Sequence, residues 1–185
     1  MGRQVPAAGS LIVLQLETPR LWLREFTEDD AAFVLRLLNE PSFIEFIGDR
    51  GVRTAEDARR YLREGPMASY RANGHGLLRV ELKFDGTPIG MCGLVKRDTL
   101  PDPDIGFALL PEHWNRGYVT EAARAAMTHG QQSLGLRTIL GITSPHNVRS
   151  ITVLGKLGLP FIEEKPLGDK PQPLKIFGLT VNSPP

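Results

Sequence analysis

The residues best suited to chemistry meet at one joint of the chain. Apolar residues over 105–110 pass through Pro111-Glu112-His113-Trp114-Asn115-Arg116 to Gly117, and an Ala-rich segment follows over 120–129. Spacing and propensity predict a strand, a turn and a helix in that order. The first turn of a helix leaves N–H groups unpaired at the positive end of its dipole, and a glycine without a Cβ lets an anion approach them. That is the chemistry of a phosphate cradle. The plainer reading makes Gly117 a turn residue before an ordinary helix, as most single glycines in such a place are. A second turn, Ser144-Pro145-His146-Asn147, opens another helical segment in which Asn147 and Ser150 stand three residues apart. Both residue types are common caps at a helix start.

Other elements must hold these two joints in place. Residues 1–15 form a loose lead-in, rich over 1–10 in Gly, Pro and Ala. Alternation over 21–24 predicts a half-buried strand, with Arg20 and Arg24 sharing one face as a solvated edge. Thr27-Glu28-Asp29-Asp30 offers a helix start, Phe33, Leu35, Leu37 and Leu38 give it an apolar stripe, and Pro41 ends it. A second helix is expected from Thr54 to about Tyr70. Strands over 77–84 and 87–95 are joined by Asp85-Gly86, a dipeptide that tolerates the positive φ of a tight hairpin. Gly106 inside the strand over 105–110 marks a bulge or a close approach. A helix over 120–134 closed by Gly135, a strand over 137–143 and a closing pair over 161–163 and 175–181 complete the domain. The Pro/Gly-rich loop over 165–173 separates the last two, and 182–185 is a tail.

Bulk properties exclude several classes. With 185 residues, 41% hydrophobic and 23% charged, the composition is that of one globular domain with its own core. A formal net charge of +1, with no basic stripe interleaved with aromatics, argues against a nucleic-acid partner. Neither G-x-x-x-x-G-K-[ST] nor G-x-G-x-x-G is present, which counts against a nucleotide-binding protein. Cys92 is the only cysteine, so an intrachain disulfide is impossible, and among Met91, Gly93, Leu94 and Val95 it reads as a buried apolar residue. His75, His113, His129 and His146 lack the spacing of a zinc-binding helix, and no metal is expected. The apolar run over 11–14, broken by Gln15 and Glu17, is too short for a signal or a membrane span. The expectation is a cytoplasmic protein with no membrane partner.

The run Trp114-Asn115-Arg116-Gly117-Tyr118-Val119-Thr120-Glu121-Ala122 resembles the coenzyme-A pyrophosphate loop of the GNAT N-acetyltransferase superfamily, roughly W-G-K-G-Y-A-T-E-A. The opening Leu16-Glu17-Thr18-Pro19-Arg20-Leu21-Trp22-Leu23-Arg24 resembles the L-x-T-x-R-L-x-L-R of its RimJ/RimL-like branch. The run from Asn147 to Leu159 is similar to N-x-x-S-x-x-V-x-E-K-x-G-F. Asn115 stands where Gly is usual and Val119 where Gly or Ala is usual, each adding a side chain beside the loop. Gly155 replaces a Glu, Leu159 a Phe, and Leu154 a Tyr that in many members protonates the departing thiolate.

The resemblance implies an α/β (α+β) fold over 16–181. Its mixed, mostly antiparallel sheet of about seven strands is flanked by about four helices and splayed at the coenzyme site. It implies acetyl-CoA as co-substrate. The main chain of Phe107, Ala108 and Leu109 would meet the pantetheine arm and polarise the thioester. Trp114, Asn115, Arg116, Gly117, Tyr118, Val119 and Thr120 would hold the diphosphate, Asn147 would cap its helix or bond the pantetheine amide, and Ser150 would reach the sulfur or a nearby coenzyme group. The segment over 44–48 is a candidate substrate wall or a buried connector. The acetyl group would pass directly to a primary amine, a peptide N-terminus or a small molecule. Ser150 or water would supply the acid, and among Asp102, Asp104, Glu45 and Asp169 the bases ranked first are Asp104 and Asp169. A homodimer is compatible with this reading. The alternative is a CoA-binding sensor or scaffold without turnover.

Overall fold

The computed structural model describes residues 14–168 and 172–181. Among these, eight strands make one sheet in the order β1-β2-β3-β4-β5-β6-β8-β7, with six α-helices and two short 3-10 turns. The mixed, mostly antiparallel sheet matches expectation, with one strand and two helices more than the sequence suggested.

β1 (Gln15–Glu17) is the strand the sequence did not declare, and it begins inside the expected lead-in; residues 1–13 lie outside the described residues. It pairs antiparallel with β2 (Leu21–Arg24), so β2 is interior to the sheet. Alternation gives β2 two unlike faces: Leu21 and Leu23 are fully buried, and Trp22 and Arg24 point the other way. The solvated edge expected for Arg24 is therefore corrected. Arg24 donates to the buried Asp30 through Nη1 at 2.9 Å and Nη2 at 2.8 Å, and Arg79, opposite it in the register, reaches the same carboxylate.

The two helices expected between residues 27 and 70 are four: α1 (Ala31–Leu38), α2 (Pro41–Phe46), α3 (Ala55–Glu64) and α4 (Pro66–Asn73). Pro41 begins a helix instead of merely ending one. At the first helical position its missing N–H is one of the donors that would be unpaired anyway. The segment over 44–48 is thus no buried connector: Phe43 is buried, while Ile44 and Glu45 are exposed. Gly65, at φ −97° and ψ −100°, breaks the second expected helix, and Pro66 starts the next at its first position. Thr54 caps α3 by accepting the Asp57 N–H at 3.1 Å, as its sequence predicts.

β3 (Leu77–Leu82) and β4 (Pro88–Val95) form the expected hairpin, with Gly86 at φ 73°. The strand ends short of Phe84, which is 80% exposed. β5 (Asp104–Leu109) pairs with β4 along its whole length with no shift, so Gly106 marks no bulge. A Cβ there would lie 3.1 Å from Val95 Cγ2, so the position is tight.

α5 (Tyr118–Gln132) lies across β4 and β5, and its small residues permit that approach. Ala122 and Ala123 are fully buried, and a Cβ at Gly130 would lie 2.5 Å from Leu94 Cδ1. The core on this face joins α5 to Leu23, Val80, Ile89 and Ile139, with Cys92 buried among them as expected; that burial pushes its thiol far up. On the opposite face α1 and α3 pack Val34, Leu37, Leu38, Ala58 and Leu62 around Met91 and Leu110.

β6 (Thr138–Thr143), α6 (Val148–Lys156), β7 (Phe161–Lys165) and β8 (Leu174–Thr180) make the second half. β6 is parallel to β5, and their register contains one pair, Asp104 with Leu140. β8 then pairs fully with β6, and β7 is the far edge. The sheet is open between β5 and β6 beyond Asp104. Among the described residues no helix is long and apolar enough to cross a membrane.

Candidate active site

The opening is bounded by β5, whose main chain has a definite phase. Leu110 N–H donates to Ile89 O at 2.9 Å, and the β4–β5 register, which pairs Gly90 with Leu109, sets Leu110 opposite Ile89 when carried one residue further. In an antiparallel pair such residues alternate with ones whose N–H and C=O point the other way. Ala108 therefore turns its main chain to β4, and Phe107 and Leu109 turn theirs into the opening. The expectation for Ala108 is corrected by this alternation. The Leu109 carbonyl is already taken by Trp114 Nε1–H at 2.8 Å. The groups left facing the gap are Phe107 N–H, Phe107 C=O and Leu109 N–H.

The loop after β5 carries two left-handed residues, Asn115 at φ 59° and Gly117 at φ 79°. Asn is among the few side chains that tolerate this conformation, so it can stand where the backbone would otherwise call for a glycine. Its side chain is exposed, while Val119 packs against the core and adds nothing beside the loop. Gly117 is the N-cap of α5, and Tyr118, Val119 and Thr120 form the first turn. Their N–H groups face outward at the positive end of a fifteen-residue helix. A Cβ at Gly117 would stand 3.4 Å from Arg20 Nη2, so the bare backbone there fits a close anion.

Residues far away in sequence hold this loop, and no local pattern declares them. Glu121 accepts the Thr18 hydroxyl at 2.7 Å, the Arg20 main-chain N–H at 2.9 Å and Arg20 Nε at 2.6 Å. Burial pushes the Glu121 carboxyl up, but these donors outweigh it and hold it below the usual range. Arg20 stays exposed, as expected, but its guanidinium is tied down by these partners. The signal was present in the T-x-R at residues 18–20 and the acid four residues after Gly117, though nothing local joined them. A groove of about 890 Å³ opens beside Gly117 and Thr120 and runs along the outer face of α5 past Arg124 to Lys156.

Across the opening, Asn147 caps α6, its Oδ1 accepting the Ser150 N–H at 3.0 Å. The Ser150 hydroxyl has no partner among the described residues. Arg149 lies over the Trp114 ring at 4.7 Å from its centre, so α6 and the loop touch. Leu154 does not face the opening: it is buried against β6, where a Cβ at Gly141 would stand 2.5 Å from its Cδ2.

Of the candidate bases, Asp104 sits where β5 and β6 meet, 1% exposed, its Oδ1 2.7 Å from Arg97 Nε and Oδ2 3.3 Å from Nη2. Burial pushes its carboxyl up against the pull of that guanidinium. Asp169 lies outside the described residues. Glu45 is exposed and Asp102 half-buried. Among the described residues no cluster of His, Cys, Asp and Glu is arranged to hold a metal.

Comparisons with known proteins bear on the family and the fold. Residues 20–160 match the acetyltransferase (GNAT) domain family. An uncharacterized N-acetyltransferase of Bacillus subtilis strain 168, YnaD, is 27% identical over 146 residues, covering 79% of this chain and 82% of that one. An acetyltransferase structure from Agrobacterium tumefaciens strain C58 superposes with a TM-score of 0.78 at 24% identity, covering 97% of this chain and 100% of that one. RimL, a ribosomal L7/L12 α-N-protein acetyltransferase solved with coenzyme A, superposes with a TM-score of 0.80 at 13% identity, covering 91% and 98%.

Proposed function

Because this chain belongs to the GNAT acetyltransferase family, we propose that it passes the acetyl group of acetyl-CoA directly to a primary amine, a peptide N-terminus or a small-molecule amine, in the cytoplasm. The observation that carries the reading is the single β5–β6 pair at Asp104, beyond which Phe107 and Leu109 turn main-chain groups into the gap. An extended pantetheine arm fits there as a strand would. The loop amides from Gly117 to Thr120 then meet the diphosphate, and α6 closes the other side.

The amine nitrogen attacks the thioester carbonyl, the C–S bond breaks, and the sulfur leaves with the electron pair. Leu109 N–H, fixed before reaction, is a donor for the oxygen that gains charge. The thiolate is stable enough near neutral pH for Ser150 or water to protonate it. The nucleophile must lose a proton. An α-amino group, with a pKa of about 7.7–8.0, is partly neutral at pH 7.5 and needs only water to carry it away. Asp104, held by Arg97 at the root of the opening, is read as keeping β5 in place.

A Leu at position 154, where many members of the family carry a Tyr that protonates the thiolate, favours a second reading, a CoA-binding module without turnover. Mixing the protein with acetyl-CoA and a panel of amines while following free thiol separates the two. Amine-dependent thiol release supports transfer. Binding of CoA with no release across peptides, amino acids and polyamines supports the module.

A further inference from the structure

We propose that Arg20, the residue before β2, positions the diphosphate loop and helps hold the donor's diphosphate; the inference rests on the acetyl-CoA reading above. One guanidinium is fixed on three sides. Nε is on Glu121, Nη1 donates to the Arg116 carbonyl at 2.9 Å, and the plane lies 4.6 Å from the centre of the Tyr118 ring. A planar fork of five donors can satisfy these directions together, which an ammonium cannot. Because a trans peptide is planar, drawing the Arg116 carbonyl back onto Arg20 turns the Gly117 N–H to the opposite side. The loop's first free donor is thereby aimed outward. Nη2, with no partner among the described residues, lies beside the bare Gly117 backbone.

Charge gives the second half of the argument. Glu121, in the first turn of α5, is a negative group where a diphosphate is to sit. Alone it would repel the ligand that the helix dipole attracts. Paired with Arg20 and Thr18, it becomes the anchor of the residue that cancels it. Removing Arg20 therefore loosens the loop and uncovers an opposing charge. Removing both charges together does less harm than removing Arg20 alone, and the harm falls on a donor that carries the diphosphate, which a purely structural role does not predict.

The test compares acetyl-CoA with acetyl-pantetheine, which lacks the diphosphate. Arg20→Ala is expected to raise the KM for acetyl-CoA roughly ten- to a hundredfold, the range for losing hydrogen bonds to a charged group. The KM for acetyl-pantetheine should change far less, and Arg20→Ala/Glu121→Gln should recover part of the loss. Calorimetric titration with CoA and with inorganic pyrophosphate gives the same contrast without turnover. Arg20→Lys, which keeps the charge and loses the fork, serves if the alanine variant does not fold. Equal losses with both donors, or no loss with either, would overturn the role of Arg20. A wild-type protein that handles the two donors alike would instead remove the diphosphate cradle itself.

Discussion

Arg149, in the first turn of α6, stacks on Trp114, in the loop before α5, with the guanidinium 4.7 Å from the ring centre. The two residues come from opposite sides of the opening between β5 and β6. Trp114 is in turn fixed by its indole N–H on the Leu109 carbonyl. One ring thus links the end of β5 to the helix across the gap.

Replacing Arg149 with Ala should loosen that link. A cation–π contact at an exposed site contributes about 0.5–1 kcal/mol, so the KM for acetyl-CoA should rise roughly two- to fivefold, with kcat little changed. Steady-state kinetics at two ionic strengths checks this. A fall in KM would mean that the contact obstructs entry.

The left-handed backbone at Gly117 makes a different prediction. Gly117→Ala should cost about 1–2 kcal/mol in conformational strain and raise the KM for acetyl-CoA. Asn115→Gly, where the backbone already suits glycine, should leave stability within about 0.5 kcal/mol. Chemical denaturation of both variants tests the pair. Equal effects at the two positions would contradict the assigned backbone.

Asp30 sets an acid limit on stability. Burial pushes its carboxyl up, but Arg24, the Thr27 N–H and Arg79 outweigh it, and its pKa lies below the ordinary value of 3.8. A depressed carboxylate stabilises the fold above its unfolded pKa, and that contribution is lost as pH falls through the folded one. Stability should therefore drop below pH 3.8, and Asp30→Ala, which leaves two guanidinium groups facing a vacated site, should cost on the order of 3–5 kcal/mol near neutrality. Urea titrations across pH report both. A variant that unfolds like the wild type at pH 7 would show that the cluster contributes little.

The pH dependence of transfer should follow the acceptor. With a peptide α-amine, kcat/KM should rise to a plateau near pH 8, the range of that amine, and with a lysine-like amine it should continue toward pH 10. Asp104→Asn should leave this profile in place while lowering stability. A profile whose lower limb moves in that variant would make Asp104 the base.

Much of this was readable in the chain because the signals were local. The strand–turn–helix around Gly117 and the Asn147 cap each depend on a few adjacent residues, and both appear where the spacing put them. The break at Gly65 leaves no local sign because the polar and apolar spacing continues through it. Arg20 and Glu121 show no link in the chain because their contact spans about a hundred residues of sequence and depends on β2 lying beside α5. Leu154 departs from the family run, and the local pattern cannot show that its side chain faces Gly141. The phase of β5 was likewise hidden, since alternation gives two answers until one hydrogen bond, Leu110 to Ile89, chooses between them.

That phase is what amide hydrogen exchange tests most directly, residue by residue, with and without CoA. Ala108, paired to β4, should be protected in both states, whereas Phe107 and Leu109 should exchange readily alone and slow at least roughly tenfold when CoA is bound. Protection at Phe107 and Leu109 that does not change with saturating CoA would contradict the account.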